Sequence, residues 1–271
     1  MTTRRAVVLA AGKGTRMLRN DDAAALTAEQ ASAADAGAKA MMPVGRPFLD
    51  YVLSALADGG VDDVCIVVSP RDSAIRERYE APGVLSRLRI SFAEQREPRG
   101  TADAVRSARE CVNGEQFIAL NADNVYSADA IRAACAIDGC GLVAYRAGPL
   151  TRLGNIPRER LRAYALVDAD ESWLLRAITE KPAHAPDSAF SDDALVSMNL
   201  WSFTPQIFDA CDRVRPSVRG ELELADAVRI AMREFGAPFQ VVTLDDGVVD
   251  LSNRGDVASA SALLRDVVVR L

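Results

Sequence analysis

Short apolar runs recur along the chain and alternate with stretches in which apolar residues are spaced three or four positions apart. Runs of four to six residues rich in Val, Ile, Leu and Phe are typical of buried strands; they cover 5–9, 64–68, 88–92, 117–120 and 142–145. Helical spacing indicates helices that place one apolar face on a sheet; it covers 49–56, 101–112, 224–235 and 257–271. The alternation predicts an α/β fold with a mostly parallel sheet.

The segment 20–38 fits neither pattern, because it is rich in alanine, weakly periodic and contains four acidic residues. Alanine favours a helix, whereas the position just after a glycine turn also suits a lid over a binding site. Both interpretations stay open. Since the chain has no internal repeat and no long linker, we expect 1–271 to form a single domain in which 20–38 is a lid or an insertion.

Composition and net charge limit the classes of partner that the protein can bind. Hydrophobic residues make up 49% and charged residues 26%, as in an ordinary globular protein. The net charge of −6 opposes binding to nucleic acid or to an anionic membrane, so a phosphate ligand must be held by local positive charge. No apolar stretch has transmembrane length, and the first nine residues lack a signal-peptide pattern. We therefore expect a cytoplasmic protein.

The cysteines and the single histidine argue against two other classes of protein. The five cysteines form an odd set without Cys-x-x-Cys spacing, which disfavours both a disulfide framework and a zinc site. We expect them to be small core residues. His184 lies between two prolines and is typical of a loop residue, so a hydrolase that depends on a catalytic histidine is disfavoured.

Lysine is scarce: the 32 basic residues include only Lys13, Lys39 and Lys181. A retained lysine indicates a position that needs a compact point charge rather than the planar fork of arginine. Phosphate is a ligand that lysine binds in this way. Lys13 lies in a glycine turn directly after the first predicted strand, close to Arg16. Glycines there let backbone N–H groups approach an anion, although neither the Walker spacing nor the complete dinucleotide fingerprint is present.

Residues 9–17 read Leu-Ala-Ala-Gly-Lys-Gly-Thr-Arg-Met and resemble the opening signature of the sugar-1-phosphate nucleotidyltransferases. Further segments resemble motifs of that family in the family's order; they contain Lys39 and cover 95–105, 121–124, 180–182, 219–227 and 249–257. The chain also departs from the family. Lys39 lacks the preceding proline and follows a longer spacer, and Ala122 replaces a glycine. The closing Asp-x-Gly-Thr-Pro-x-Asp pattern keeps Asp250 and Asp256 but not the residues between them.

The resemblance implies a Rossmann-like three-layer α/β/α fold with a mixed, mostly parallel central sheet, of the nucleotide-diphospho-sugar transferase type. It implies that a sugar-1-phosphate oxygen attacks the α-phosphorus of a nucleoside triphosphate and expels pyrophosphate, with Mg²⁺ as cofactor. Positive charge would stabilise the two anionic reactants, and two carboxylates would hold the metal. The expected catalytic residues are Arg16, Lys39, Asp123, Lys181 and Asp250, with Asp123 and Asp250 as metal ligands.

Two further sets are implied as binding residues. The expected nucleotide-binding residues are Leu9, Ala11, Gly12, Lys13, Gly14, Thr15, Gln95, Gly100 and Thr101. Gln95 would read the base edge through its amide donor and acceptor. The expected residues for the sugar phosphate are Asn124, Ala165, Glu180, Lys181 and Asn199. Glu180 would accept hydrogen bonds from sugar hydroxyls, and Ala165 stands where many members have glycine, so its methyl group would crowd a hexose.

Several choices stay open. Thymidine or uridine triphosphate is favoured by Gln95 and the segment from Arg219, with guanosine and adenosine as alternatives, and the acceptor is either a sugar or a cyclitol phosphate. Two other functions compete: cytidylyl transfer to a non-sugar phosphate or phosphonate, and a catalytically silent nucleotide-binding protein. A homo-oligomer is left open. Because the chain ends at Leu271 without room for a C-terminal β-helix, we expect a stand-alone catalytic domain.

Overall fold

A mixed β-sheet between two apolar layers forms the centre of the computed structural model, which describes residues 2–19, 21, 24–70, 72–182 and 185–271. The strands are β1 (Arg5–Leu9), β2 (Asp63–Val68), β3 (Arg89–Glu94), β4 (Phe117–Asn121), β5 (Asn124–Val125), β6 (Cys140–Arg146), β7 (Ala165–Ala169), β8 (Leu175–Thr179), β9 (Leu195–Phe203), β10 (Phe239–Leu244) and β11 (Val249–Asp250). The α-helices are α1 (Ala28–Asp35), α2 (Phe48–Asp58), α3 (Ser73–Glu80), α4 (Thr101–Ser107), α5 (Arg109–Val112), α6 (Ala128–Ala136), α7 (Ala147–Leu153), α8 (Ile207–Cys211), α9 (Leu224–Phe235) and α10 (Asp256–Leu264). Short 3₁₀ helices cover Lys39–Met41, Arg158–Ala163 and Asp187–Phe190.

The main sheet has the strand order β10-β6-β9-β4-β1-β2-β3. Strand β1 is parallel to β2 and β4, β2 is parallel to β3, and β6 is parallel to β10. Strand β9 runs antiparallel to β4, β6 and β7, and β7 forms a hairpin with β8. The predicted fold class, a mixed and mostly parallel sheet in an α/β protein, is confirmed. Strands β5 and β11 form a separate antiparallel pair.

Neighbouring residues of a central strand enter opposite layers, because side chains alternate between the two faces of a sheet. Val8 packs in one buried cluster and Val7 in the other. Trp201 and Phe203 stack in the second cluster with ring centroids 5.6 Å apart, which confirms that they are core residues. The cysteines are free, and all are buried except the half-buried Cys111, as expected for small apolar residues.

Two predicted helices differ from the structure. The stretch 101–112 is divided into α4 and α5, while its apolar residues stay buried. The prediction of a helix over 257–271 is wrong beyond Leu264, where α10 ends. Three consecutive β-branched valines follow at 267–269 and disfavour a helix. The chain end is held instead by side chains, since Ser54 Oγ accepts from the Arg270 N–H at 2.9 Å.

Helix α1 occupies part of the segment 20–38. A capping box fixes its start: Thr27 Oγ1 accepts from the Gln30 N–H at 3.2 Å, and the Gln30 side chain accepts from the Thr27 N–H at 3.0 Å. Asn20, Asp22 and Ala23 of this segment, and the predicted loop residue His184, lie outside the described residues. None of the helices in the described part of the chain is both long enough and apolar enough to cross a bilayer.

Candidate functional site

A cleft lies at the carboxyl ends of the parallel strands β1 and β4, where open α/β sheets commonly bind ligands. The predicted site residues in its lining are Arg16, Thr101, Asp123, Asn124, Ala165, Glu180, Lys181, Asn199 and Asp250. Other lining residues are Asn121, Ala163, Tyr164, Ser197, Met198, Glu221, Glu223, Leu224, Ala225 and Ser252. Residues separated by more than 200 positions therefore meet at one place.

The glycine turn after β1, which we call the anion loop (residues 12–18), brings Arg16 to the cleft. Gly14 adopts a φ of +59°, and a Cβ there would lie 2.4 Å from the Gly37 carbonyl oxygen, so the backbone packs against the end of segment 20–38. A Cβ on Gly12 would have no atom of the described residues within 4 Å, apart from its two chain neighbours. The described packing therefore requires glycine at position 14 but not at 12, which leaves room for a ligand beside the Gly12 backbone. Lys13 and Thr15 are exposed.

The remaining two residues predicted from the first signature lie behind the anion loop. Leu9 ends β1 and is half-buried, and Ala11 is 4% exposed. The Ala10 N–H donates to the Val67 carbonyl at 2.9 Å and ties the start of the turn to the neighbouring strand. The Leu9 carbonyl accepts from the Ala122 N–H at 3.1 Å, and neither Leu9 nor Ala11 lines the cleft.

One face of the cleft, which we call the carboxylate side, consists of Asp123, Asn124 and Asp250. The pairing of β5 with β11 places Asp250 opposite Asn124, and the Leu251 N–H donates to the Asp123 carbonyl at 2.9 Å. Lys39 lies on the 3₁₀ helix that follows segment 20–38 and donates from Nζ to Asp123 Oδ2 at 3.0 Å. The structure thus brings together three of the predicted catalytic residues.

Asp250 is only 2% exposed and is held from several directions. Asn124 Nδ2 donates to Oδ1 at 3.0 Å, and Arg160 forms an ion pair with Oδ2. The Asn155 amide bonds to the Asp250 backbone N–H at 2.7 Å and carbonyl at 2.8 Å. Burial raises the pKa of the Asp250 carboxyl above its ordinary value, the charge of Asp123 raises it further, and Arg160 opposes this increase.

The carboxylate side offers oxygen donors, which are the ligands that Mg²⁺ prefers. Asp123 and Asp250 are close enough to repel each other, and a dication between them would remove that repulsion. Among the described residues, no group of three or more Asp, Glu, His or Cys side chains forms a closed metal cage. An ion held by two carboxylates would complete its octahedron with water and phosphate oxygens, as Mg²⁺ commonly does.

A second set of residues lining the cleft, which we call the acceptor side, consists of Ala165, Glu180, Lys181 and Asn199. Burial raises the pKa of Glu180, and Lys181, whose Nζ lies 4.0 Å from Glu180 Oε1, partly opposes this increase. Lys181 and Asn199 have φ angles of +43° and +60°, a region that residues other than glycine rarely adopt. Such backbone strain is concentrated at functional sites in proteins.

Asn199 lies in a β-bulge of strand β9. The pairing with β6 shifts register between Val143 and Ala144, so Val143 faces Leu200 whereas Ala144 faces Ser197. Bulges redirect side chains at the rims of active sites, and asparagine tolerates the left-handed conformation well. Trp201 Nε1 donates to Asn199 Oδ1 at 3.4 Å.

The predicted base-reading residues have structural contacts that the sequence did not indicate. Gln95 is 4% exposed and donates both amide hydrogens internally, to the Gly100 carbonyl and to Asp103 Oδ2, each at 3.0 Å. That Gln95 reads the base edge stays a prediction, and in this structure its two amide hydrogens are held by the protein. A Cβ on Gly100 would lie 2.5 Å from the Leu222 backbone, and Thr101 Oγ1 accepts from the Leu224 N–H at 2.9 Å.

Sequence reasoning missed several residues in and beside the cleft, among them Arg160, which lies behind the lining residues Tyr164 and Asp250 that it contacts. It bonds to Asp250, to Asp256 and, at 3.0 Å, to the Tyr164 hydroxyl. It belongs to an arginine-rich 3₁₀ helix that matches no motif, so no local signal distinguishes it from its neighbours. Glu223, also missed, is 9% exposed and accepts from Arg219 at 2.7 Å. Its signal was the segment from Arg219, which was used only to choose the base.

Comparison with known proteins adds independent information. The model of a family described as nucleotidyl transferase matches residues 5–251. The chain is 28% identical over 269 residues to a UTP–glucose-1-phosphate uridylyltransferase of Haloferax volcanii, covering 96% of each chain. It is 32% identical over 231 residues to a glucose-1-phosphate thymidylyltransferase of Streptomyces griseus, covering 83% of this chain and 56% of that protein.

Solved structures resemble the fold. A UDP-glucose pyrophosphorylase crystallised with UDP-glucose superposes with a TM-score of 0.75 at 14% identity, covering 97% of this chain and 98% of the other. A UDP-glucose pyrophosphorylase of Acinetobacter baumannii gives a TM-score of 0.74 at 17% identity, covering 98% and 95%. These likenesses concern the course of the chain and not the identity of a ligand.

Proposed function

The chain belongs to the nucleotidyl transferase family, and on that premise we propose that it transfers a nucleotidyl group from UTP or dTTP to a sugar-1-phosphate, forming a nucleoside-diphosphate sugar and pyrophosphate. The observation that carries the proposal is the meeting of Asp123 and Asp250 with Lys39, Arg16 and Lys181 around one cleft. We further propose that 1–271 acts as one catalytic domain and that the enzyme works in the cytoplasm.

Charge is the main obstacle to this reaction. The attacking phosphate oxygen and the α-phosphorus belong to two anionic reactants, so catalysis depends on positioning and electrostatic stabilisation. We assign Arg16 and the backbone N–H groups beside Gly12 to the triphosphate, and Lys181 to the phosphate of the acceptor. Lys39 would move from Asp123 toward the phosphates when the nucleotide binds, because both are anionic partners of the same ammonium group.

Asp123 and Asp250 would hold Mg²⁺, which supplies Lewis-acid stabilisation of charge at the reacting phosphate. The chain prepares these carboxylates before any ligand binds. Asn155 fixes the backbone of Asp250, and Asn124 fixes its carboxylate. The acceptor oxygen then forms a bond to the α-phosphorus while the bond from that phosphorus to the β-phosphate oxygen breaks, and pyrophosphate leaves with the electron pair.

The specificity for the two substrates comes from different faces. Relatives named uridylyltransferase and thymidylyltransferase support a pyrimidine nucleotide. On the acceptor side, Glu180 and Asn199 offer oxygens to sugar hydroxyls, and both line the cleft together with Lys181. Ala165, 5% exposed at the start of β7, limits the space for the ring of the acceptor. We propose that the acceptor is a hexose phosphate or a cyclitol phosphate.

The test is a pyrophosphate-release screen. UTP, dTTP, CTP, GTP and ATP are each combined with Mg²⁺ and a panel of acceptors that contains sugar-1-phosphates as well as phosphates and phosphonates without hydroxyl groups. Product is identified by mass spectrometry, and nucleotide binding is measured by calorimetry. We expect turnover with UTP or dTTP and a sugar-1-phosphate. Turnover only with CTP and an acceptor without hydroxyl groups would replace the proposal by cytidylyl transfer to a non-sugar phosphate. Nucleotide binding without turnover on any acceptor would indicate a silent nucleotide-binding protein.

A further inference from the structure

Arg254 is an almost buried arginine outside the cleft lining, with 10% of its side chain exposed. It lies between the two aspartates of the closing motif, at a position where the resembled pattern has proline. Its Nε donates to the Met17 carbonyl at 2.9 Å, and its Nη2 forms an ion pair with Asp35 Oδ1. One edge of a single guanidinium thus bonds to two segments that are more than 200 residues away along the chain.

Both partners of Arg254 lead directly to cations of the proposed site. Met17 follows Arg16 in the anion loop. Asp35 is the last residue of α1, and Gly37, two residues later, contacts Gly14 of that loop. Lys39 comes next, on the 3₁₀ helix, and bonds to Asp123. A displacement of Met17 or Asp35 would therefore move Arg16 or Lys39.

The segment that bears Arg254 is itself anchored to the carboxylate side. Asp256 Oδ2 accepts from the Ser252 and Asn253 N–H groups, each at 2.9 Å, and Arg160 links Asp256 to Asp250. The backbone between Asp250 and Asp256 is thus closed into a loop by side-chain bonds. Arg254 projects from this loop.

We propose that Arg254 is a positioning residue that fastens the anion loop and helix α1 to the carboxylate side, so that Arg16 and Lys39 converge on the phosphates of one nucleotide. This inference rests on the proposed function. It also connects two departures from the resembled family: the longer spacer before Lys39 contains Asp35, and the altered closing motif contains the arginine that binds it. Each departure provides the partner that the other requires.

The geometry needs arginine rather than any cation. The planar guanidinium offers parallel N–H groups to two acceptors at once, whereas an ammonium is a point charge on a flexible stem. A substitution that removes the fork would leave the Met17 carbonyl without this partner and separate α1 from the closing loop. Because Arg254 does not line the cleft, its substitution should weaken nucleotide binding only by displacing the anion loop.

The experiment uses R254Q and the milder D35N, whose side chain is 68% exposed and should not affect folding. R229Q is the matched control, since Arg229 forms an ion pair with Asp226 on the surface of α9. Hydrogen exchange of residues 12–19 is measured without nucleotide, and binding of UTP and of dTTP with Mg²⁺ by calorimetry. KM for the acceptor is then determined with the nucleotide that turns over.

We expect exchange of the anion loop to accelerate in R254Q and D35N but not in R229Q, and nucleotide affinity to fall about tenfold. KM for the acceptor should stay within about twofold, and R254Q/D35N should lose no more than R254Q alone, since both act through one contact. Unchanged exchange in both variants would overturn the proposal, as would equal losses for both substrates. Exchange does not depend on turnover, so failure of the positioning role is distinguishable from failure of the proposed function.

Discussion

Asp250 on the carboxylate side and Lys181 on the acceptor side face the same cleft, yet their surroundings differ. Asp250 is 2% exposed and bonds to Asn124, Asn155 and Arg160. Lys181 has 41% of its side chain exposed, lies 4.0 Å from Glu180 and has a positive φ. The carboxylate side is preorganised by protein contacts, whereas the acceptor side keeps its polar groups available. We infer that the chemistry of the phosphates is fixed by the fold and that acceptor choice depends on a few adaptable side chains.

The largest effect should follow from breaking the carboxylate side. We predict that D250N lowers the rate of pyrophosphate release roughly 10²-fold to 10³-fold, as expected when one preorganised electrostatic partner of the reacting group is removed. Circular dichroism should show a folded protein, because asparagine has nearly the same shape. D129N is the control, since Asp129 forms an exposed ion pair with Arg132. Undiminished activity in D250N would refute the metal-binding role of Asp250.

A smaller effect should follow from a substitution on the acceptor side, and it should concern the sugar phosphate rather than the nucleotide. We predict that K181A raises KM for the sugar phosphate about tenfold, the loss of one charge-assisted hydrogen bond worth roughly 1.5 kcal/mol. KM for the nucleotide should change little. R176Q is a suitable control, because Arg176 lies at an exposed position of β8, the strand that directly precedes Glu180 and Lys181. If K181A weakened both substrates equally, Lys181 would not belong to the acceptor side as we have defined it.

The contrast between the two sides also shows what a sequence can predict. Asp123, Asp250, Glu180 and Lys181 each stand in a short motif whose chemistry is local, so their meeting at one cleft could be anticipated. Arg160 could not, because its role arises from contact with Asp250, 90 residues away, and any of its arginine neighbours would look the same in sequence. The pairing of Arg254 with Asp35 across 219 positions is a similar case.

Prediction of the fold likewise succeeded where the sequence signal is local and failed where the structure depends on distant residues. The buried runs that became β1, β2 and β4 are continuous and apolar, and their hydrophobic patterns suffice to identify them. Strand β8 is short, buries only Leu175 and Ile178, and takes its partner from the preceding hairpin strand, so it was missed. The helix over 257–271 was extended too far, because apolar spacing continues past Leu264 although three valines oppose helix formation there.

The smallest predicted effect concerns stability on the acceptor side. Burial raises the pKa of Glu180, so ionisation of this carboxyl favours the unfolded chain. As pH rises from the ordinary pKa of glutamate through the raised value, the folded protein therefore loses stability. We predict that E180Q raises Tm at pH 7 by roughly 1–3 °C, since about 1 kcal/mol corresponds to a few degrees, and leaves Tm unchanged near pH 4.

The matched control for this prediction is E234Q, because the ion pair with Arg213 lowers the pKa of Glu234. Its ionisation favours the folded state, so E234Q should reduce Tm slightly at pH 7 and lose that effect as the solution is acidified through the lowered pKa. Opposite signs for the two variants at pH 7, measured by thermal unfolding across the pH range, would show that Glu180 is kept at a cost in stability. Such a cost is expected where a carboxylate is held ready for a ligand rather than for the fold. Equal signs would contradict the prediction that Glu180, unlike Glu234, is kept at a cost in stability.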